Sequence, residues 1–246
     1  MTQLGYISSH LHDYLPGLAP VLSFASLSAR PGVYVLFEAY IVKLPSSDLR
    51  PASKALILAL LPAIEDETAE DFERAFAILD VLERRLNNPD TGTNHSGCFW
   101  QALLLCVITS ASRRQGALNY ITRRLPSFAP KRKDKSGLPA SDGDTPELSA
   151  EARLVITPEP GLLVRCFVAG LSDPQILIQR GFLDVLVTHL PLDSAVLREA
   201  IIQRDLDRLV SAATHVLLRR DMSLNRRLWS WLLGPCLLYT SPSPRD

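Results

Sequence analysis

The stretch from Gly97 to Pro126 constrains the fold of this chain most, because it contains two helical patterns in succession. Between them lie Ser112 and Arg113, where we predict a tight turn and a serine that caps the second helix. We therefore predict an antiparallel helical hairpin. The apolar residues that recur at three- and four-residue steps are Phe99, Leu103, Cys106 and Val107 in the first pattern and Leu118, Ile121 and Leu125 in the second.

The same pattern returns further along the chain. Helical hairpins that recur at such intervals are typical of an α-solenoid, in which each hairpin needs neighbours to bury its apolar face. The first half, Leu103-x-x-Cys106-x-Ile108, is echoed by Leu163-x-x-Cys166-x-Val168; the second half, Gly116-x-Leu118-Asn119, is echoed by Gly181-x-Leu183-Asp184; and Arg113-Arg114 is echoed by Arg219-Arg220.

These echoes predict an all-α fold, an α-solenoid of HEAT- or armadillo-like helical hairpins. Any leucine-rich helical protein yields some chance matches, but the shared glycine, Leu-Pro and Asx positions favour true repeats. The equivalent Cys106 and Cys166 are interpreted as small buried hydrophobic residues rather than metal ligands.

Long strings of the chain resemble the N-terminal domain of the Dopey family, from about residue 13 to residue 235. The strings are FWQALLLCVITSASRRQGALNYITRRLP, PEPGLLVRCFVAGLSDPQILIQRGFLDVLVTHLP and LRRDMSLNRRLWSWLLGP. The resemblance implies a non-catalytic scaffold or adaptor in Golgi and endosomal membrane traffic and protein transport. It also implies a cytosolic protein that is peripheral on those membranes, with a large Arf-exchange-factor-related protein and P4-type flippases as partners.

Prolines divide the N-terminal part into short predicted helices, because proline is tolerated mainly near helix starts. Residues 1–12 have a mixed composition and are left outside the predicted domain. Thr68-x-x-Asp71 resembles a capping box that opens an amphipathic helix. The predicted early helices are Leu18–Ser28, Gly32–Leu44 and Ala52–Leu61.

Two segments are predicted to lie outside the helical core. Residues 127–158 contain a basic cluster followed by Gly, Ser, Pro and acidic residues, which predicts a disordered loop insertion. Residues 236–246, CLLYTSPSPRD, resemble the translation of a sequencing-library adapter. We therefore expect an artefactual tail after residue 235, and a chain that is a truncated fragment.

The later part of the chain predicts a second hairpin and a final helix. The hairpin consists of Gly161–Leu171 and Gln175–Leu190, and the final helix covers Asp221–Leu233. Trp229 and Trp231 are two residues apart and cannot share one helix face, so we expect one of them to be buried and the other not.

No motif in the chain points to catalysis, a cofactor or a metal. Lys and Arg balance Asp and Glu at 26 each, so nucleic acid is not an expected partner. No phosphate-binding glycine loop, metal-ligand spacing or nucleophile motif is present. Two alternatives to the trafficking scaffold stay open: a generic helical-repeat interaction module without a membrane role, and the helical part of an enzyme whose active site lies elsewhere.

Arginine is the polar residue with a clear pattern, and it provides the candidate partner-binding residues Arg113, Arg114, Arg219 and Arg220. If these four occupy equivalent places, they should lie on one edge, where guanidinium groups suit acidic protein surfaces or phosphoinositide headgroups. The alternative is a set of solvated helix faces, with arginines that cap carbonyl groups near helix C-termini. For the exposed edge we expect that replacing all four by Ser leaves thermal stability nearly unchanged.

Overall fold

The computed structural model describes residues 3–87, 97–129, 148–157 and 159–234, and within these ranges every regular element is helical. The prediction of an all-α fold is therefore confirmed. The α-helices are α1 (Gln3–Leu18), α2 (Val21–Phe24), α3 (Arg30–Ala39), α4 (Ser46–Leu60), α5 (Phe72–Asn87), α6 (Cys98–Thr109), α7 (Arg114–Arg124), α8 (Ala150–Ile156), α9 (Pro160–Leu171), α10 (Ile176–His189), α11 (Gln203–His215) and α12 (Met222–Leu233). Short 3-10 helices cover Ile41–Lys43, Leu61–Ile64, Ala111–Arg113 and Val216–Arg219, and a π-type turn covers Val196–Ala200.

The helices pack in two rows. In the first row α4 packs against α6, α6 against α9, and α9 against α11. In the second row the 3-10 helix Leu61–Ile64 packs against α7, α7 against α10, and α10 against α12. Helix α6 also contacts α7, α9 contacts α10, and both α11 and α12 contact the 3-10 helix Val216–Arg219 between them, so one continuous apolar core runs between the rows.

Two glycines set the spacing within the second row. A Cβ atom on Gly116 would lie 2.2 Å from the backbone oxygen of Leu61, and one on Gly181 would lie 2.3 Å from Cδ2 of Leu118. Both distances are below van der Waals contact, so a Cβ atom at either position would require a neighbouring group to shift. Gly116 and Gly181, which the sequence pattern pairs, thus both face the preceding element of the row.

Of the two tryptophans in α12, one is buried and the other is exposed, as predicted. Trp231 is 3% exposed and its indole Nε1–H donates to the carbonyl oxygen of Leu190 at 2.9 Å, whereas Trp229 is 47% exposed. The hydrogen bond satisfies the polar end of a large buried side chain and holds α12 against the end of α10.

The N-terminal helices differ from the predicted ones. Helix α1 includes most of the segment left outside the predicted domain and packs against α4, with Leu11 buried. The predicted helix Leu18–Ser28 is wrong, since α1 ends at Leu18 and α2 covers only Val21–Phe24. Helix α4 begins at Ser46 and continues through Pro51, where a helix start was predicted, because burial of its apolar side chains outweighs one lost hydrogen bond.

The predicted start signals of α5 and α7 are also wrong. Asp71 does not close a capping box with Thr68; its carboxylate accepts hydrogen bonds from Tyr34 at 2.5 Å and Arg30 at 2.9 Å, which join α3 to the start of α5. Ser112 lies within a 3-10 turn, and Arg113 occupies the N-cap position of α7, where its side chain makes no hydrogen bond to the first turn of the helix. Tertiary contacts and the 3-10 turn replace local capping here.

Described residues at both ends of the predicted insertion 127–158 pack against the helices. Phe128 is buried, and its backbone N–H donates to the carbonyl oxygen of His189 at 2.7 Å. Helix α8 buries Ala152 and Val155 and packs against α9, with Ser149 as its N-cap. Residues 130–147, which contain the basic cluster, lie outside the described residues, and so does the proposed tail 236–246.

The partly buried carboxylate of Glu83 lies between α5 and α7. The hydroxyl of Tyr120 donates to Glu83 Oε2 at 2.9 Å and is within 3.1 Å of Asp80 Oδ1, while Arg124 contacts both oxygens of Asp80 at 2.9 and 2.6 Å. Burial raises the pKa of Glu83, although hydrogen bonds from Tyr120 and Trp100 lower it. Burial thus destabilises the charged form of Glu83 in the folded state.

The close approaches at the two glycines are tested by Gly→Ala substitutions. Gly116→Ala should lower the free energy of unfolding by about 1–3 kcal/mol, because its methyl group meets a backbone oxygen. Gly181→Ala should cost less, because the tip of Leu118 can move. Chemical denaturation of the chain measures both effects, with Gly32→Ala as the control, since nothing lies within 4 Å of its added methyl group. Equal effects at the three positions would contradict the packing described for the second row.

The environment of Glu83 predicts a pH dependence. Its pKa in the folded state lies above the ordinary value of 4.5, so the folded state binds more protons than the unfolded state in the interval between the two values. The free energy of unfolding contributed by Glu83 therefore falls as pH rises through that interval. Thermal melts across this range should show a smaller decrease for Glu83→Gln than for the exposed control Glu70→Gln. Parallel curves for the two variants would contradict the burial of this charge.

Candidate interaction surface

The four predicted arginines lie in the turns that join consecutive helices. The turns are residues 110–113, 172–175 and 216–221, which we call the turn edge. Arg113 and Arg114 lie at the first of these turns, and Arg219 and Arg220 at the third. Arg114 and Arg219 both reach the second turn, so the three turns lie side by side.

Arg113 connects the turn edge to the preceding part of the chain. Its guanidinium donates to Ser23 Oγ at 2.5 Å and lies 3.6 Å from Glu65 Oε1. Burial raises the pKa of Glu65, and the charge of Arg113 opposes the shift. Most of the Arg113 side chain is covered, so this residue joins α2 to the start of α7.

Arg114 forms a buried ion pair with Asp173. The two side chains are 12% and 2% exposed, and Arg114 Nη1 lies 2.7 Å from Asp173 Oδ2. Arg114 also donates to the carbonyl oxygen of Val107 at 3.0 Å, and Asp173 accepts the backbone N–H of Gln175 at 2.8 Å. Arg114 is therefore a structural residue that joins two turns, and the expectation that all four arginines can be replaced without loss of stability is wrong.

Arg219 and Arg220 remain available to a partner. Both are exposed, and the contacts of Arg219 with the carbonyl oxygens of Asp173 and Pro174 are long, at 3.4 Å. Arg220 adopts a left-handed backbone conformation with φ of 55° and has no side-chain partner among the described residues. Exposed apolar side chains lie in or beside the same turns, namely Leu177 (66%), Leu218 (76%) and Met222 (81%).

Other paired arginines contact neighbouring helices. Arg123 lies over the ring of Phe72, with 4.6 Å from its guanidinium carbon to the ring centroid, and Arg124 binds Asp80. Arg227 donates to Asp184 Oδ1 at 2.5 Å, which joins α12 to α10. The pattern of double arginines in the sequence thus reflects contacts between adjacent helices as much as a free surface.

Sequence reasoning missed a groove beside the turn edge. It has a volume of about 1050 Å³ and lies between the end of α9, α10 and one face of α11. Arg204 and Arg208 line it at a spacing of four residues, next to Arg219 from the turn edge. The signal in the sequence was this arginine pair on the face of α11 opposite Leu209 and Ala213, the buried residues.

The described residues contain no metal-binding cluster. No group of three or more His, Cys, Asp and Glu side chains in residues 3–87, 97–129, 148–157 and 159–234 could hold an ion. Burial raises the pKa of the Cys106 thiol to about 12 and also raises that of Cys166, so both thiols stay protonated at neutral pH. Protonated, buried thiols are poor nucleophiles and poor metal ligands.

No single helix within the described ranges has the length and apolar composition needed to cross a bilayer. The pair α8 and α9 passes such a test only when the two helices are taken together, and they are bent by 73° relative to each other.

The buried ion pair predicts a large effect for a single substitution. Arg114→Met should lower the free energy of unfolding by about 3–5 kcal/mol, because it leaves the Asp173 carboxylate buried and unpaired. The exposed Arg226→Met is the matched control and should change the free energy by less than about 0.5 kcal/mol. Urea denaturation measures both variants.

A double variant separates the charge from the packing of the side chain. Arg114→Met combined with Asp173→Asn should be more stable than Arg114→Met alone, because no unpaired charge remains and Asn still accepts the N–H of Gln175. If Arg114→Met were as mild as Arg226→Met, Arg114 would belong to the solvated surface after all.

Comparison with known proteins identifies the family of the chain. A family model described as "Dopey, N-terminal" matches residues 2–236, so the match begins before the residue 13 expected from the sequence strings. No solved structure gives a significant match to the chain.

Curated relatives match nearly the whole chain. It is 48% identical over 237 residues to "Protein dop1" of Emericella nidulans, 33% identical over 251 residues to "Protein DOP1" of Saccharomyces cerevisiae, and 32% identical over 233 residues to "Protein DOP1B" of Mus musculus. Each match covers 93% of this chain but only 13%, 14% and 9% of the respective relative. The model match over residues 2–236, together with these relatives, shows that the chain belongs to the Dopey family, in its N-terminal domain.

Proposed function

We propose that this chain is a non-catalytic scaffold segment of a Dopey-like protein that acts in Golgi–endosome membrane traffic and protein transport. Membership of the Dopey family is the observation that carries the proposal. The protein would be cytosolic and peripheral on Golgi and endosomal membranes. A scaffold needs an extended, repeated surface rather than one closed pocket, and the two helix rows with their shared turn edge offer such a surface.

The architecture we propose is an α-solenoid of HEAT/armadillo-like hairpins. Three pairs, α6 with α7, α9 with α10 and α11 with α12, follow one another in the two rows. Equivalent positions support the repeat: Gly116 and Gly181 each contact the preceding element of the second row, and Cys106 and Cys166 are both buried. Such a stack extends by adding pairs, which suits relatives that are much longer than this chain.

The turn edge is the proposed contact surface for protein partners. Arg219 and Arg220 offer guanidinium groups that no carboxylate of the described residues neutralises, and Leu218 and Met222 offer apolar surface next to them. Arginine and methionine are both enriched in protein–protein interfaces. The partners we propose are a large protein related to Arf exchange factors and P4-type flippases.

A chimera tests this function in a cell. Residues 2–234 of the chain would replace the matching segment of Protein dop1 in Emericella nidulans, to which the chain is 48% identical. We expect the chimera to localise to Golgi and endosomal membranes and to capture the exchange-factor-related protein and the flippase. Arg219→Ser with Arg220→Ser should reduce both readouts several-fold, because desolvated arginine contacts are strong.

Controls separate loss of function from loss of folding. The matched variant Arg198→Ser with Arg226→Ser removes two exposed arginines that lie away from the turn edge. It should leave localisation and capture unchanged, and immunoblots should show equal amounts of all chimeras. A chimera that stays diffuse and captures neither partner would contradict the proposed function. Equal behaviour of the two double variants would contradict the role of the turn edge.

A further inference from the structure

One face of α11 carries unneutralised positive charge along the groove. Arg204 has no ion-pair or hydrogen-bond partner among the described residues. Arg208 is half exposed and lies 3.3 Å from Asp205, and Arg219 closes the groove at the turn edge. The acidic side chain in the lining, Asp207, accepts a hydrogen bond from Gln203 at 2.7 Å. Three arginines stand against Asp207 in the lining and Asp205 beside Arg208, and the positive charge that remains in excess favours an anionic occupant.

The groove also has an apolar surface. Val168 and Leu171 from α9, Ala212 from α11 and Leu218 from the turn edge line it between the charged groups. Apolar lining with a few charged groups at its margin suits a ligand that carries both kinds of group, such as a peptide.

Gln179 is a buried residue in the wall of the groove. It is 4% exposed, and its Nε2 donates to the carbonyl oxygens of Leu171 at 3.0 Å and Asp173 at 2.8 Å. Two carbonyl acceptors fix the orientation of the amide, so the remaining atom is Oε1, which has no partner in the described part of the chain. Because Oε1 is itself buried, a ligand in the groove does not contact it, and the role of Gln179 is to hold the carbonyl groups of Leu171 and Asp173 in the wall of the groove.

The length of the part of α11 that lines the groove matches the length of a short extended peptide. Arg204 and His215, which both line the groove, are eleven residues apart on α11. This separation corresponds to about 16 Å along a helix axis, which is the length of about five residues of extended chain. A single lipid headgroup would fill only a small part of a groove of about 1050 Å³.

We propose that the groove between α9 and α11 binds a short acidic peptide segment of a partner protein. Its carboxylates pair with Arg204, Arg208 and Arg219, and its apolar side chains cover Leu171 and the neighbouring apolar lining. The inference rests on the proposed scaffold function, because it names the chemistry of one of the partners that a scaffold assembles.

The test uses the purified chain and a display library of short random peptides. Selected peptides are synthesised with a fluorescein label, and their affinity is measured by fluorescence anisotropy. We expect them to combine Asp or Glu with apolar residues and to bind more weakly as salt is added. Versions with every Asp and Glu replaced by Asn and Gln should bind about tenfold or more weakly, since charge-assisted contacts are lost.

Variants of the chain locate the site. Arg204→Glu with Ser211→Glu places two negative charges on exposed residues that line the groove, and avoids Arg208, whose neighbour Asp205 is buried. This variant should lose about tenfold or more in affinity. The matched control Arg226→Glu with Ser47→Glu changes the same charges on exposed residues outside the groove, and it should bind as the wild type does. Circular dichroism checks that both variants stay helical.

Several results would overturn the inference. These are a selection without enriched peptides, enriched peptides that lack acidic residues, or equal affinity for the groove and control variants. Vesicles of phosphatidylcholine and phosphatidylserine form a second arm: binding to them that depends on Arg204, without peptide binding, would assign the groove to a membrane instead. These outcomes are distinguishable from failure of the proposed function, because a chimera can localise normally while the purified chain binds no acidic peptide.

Discussion

The close approach of helices in the second row is the constraint on which the rest of the structure depends. Gly116 lies directly against the backbone of Leu61, and a side chain of any size would force the two elements apart. Since α7 then contacts α10 and α10 contacts α12, a displacement at this point would propagate to the later helices. Interiors packed to crystal-like density transmit such shifts rather than absorb them.

This packing also determines which charged side chains meet at the turns between the helices. When α7 and α10 lie side by side, their preceding turns meet, and Arg114 is brought against Asp173 in a place that water hardly reaches. The pair strengthens the contact only because both charges are present, since either one alone would be costly to bury. Arg219 reaches the same turn from the other side at a longer distance and remains exposed. The turn 172–175 is therefore contacted by a buried structural arginine, Arg114, and by an exposed one, Arg219.

Much of the fold could be predicted from the sequence. Helical periodicity over α5, α6, α7, α9 and α10 placed these helices and their buried faces, since apolar residues at steps of three and four have one way to share a core. The pairing of Gly116 with Gly181 was also visible. Start signals and proline positions were less informative, because burial of a whole helix face outweighs one cap or one missing hydrogen bond, as α4 demonstrates at Pro51.

The candidate surface depended on tertiary structure to a greater degree. The sequence by itself determined that the chain is helical, that its hairpins resemble one another, and that arginines recur at the turns. The four candidate arginines look alike in the sequence, and only their neighbours in the fold distinguish them. Arg114 forms a buried ion pair with Asp173, whereas Arg220 is exposed. The groove beside α11 was likewise decided by tertiary structure, because Gln179, Arg204 and Leu171 come from three different helices and meet only when those helices pack.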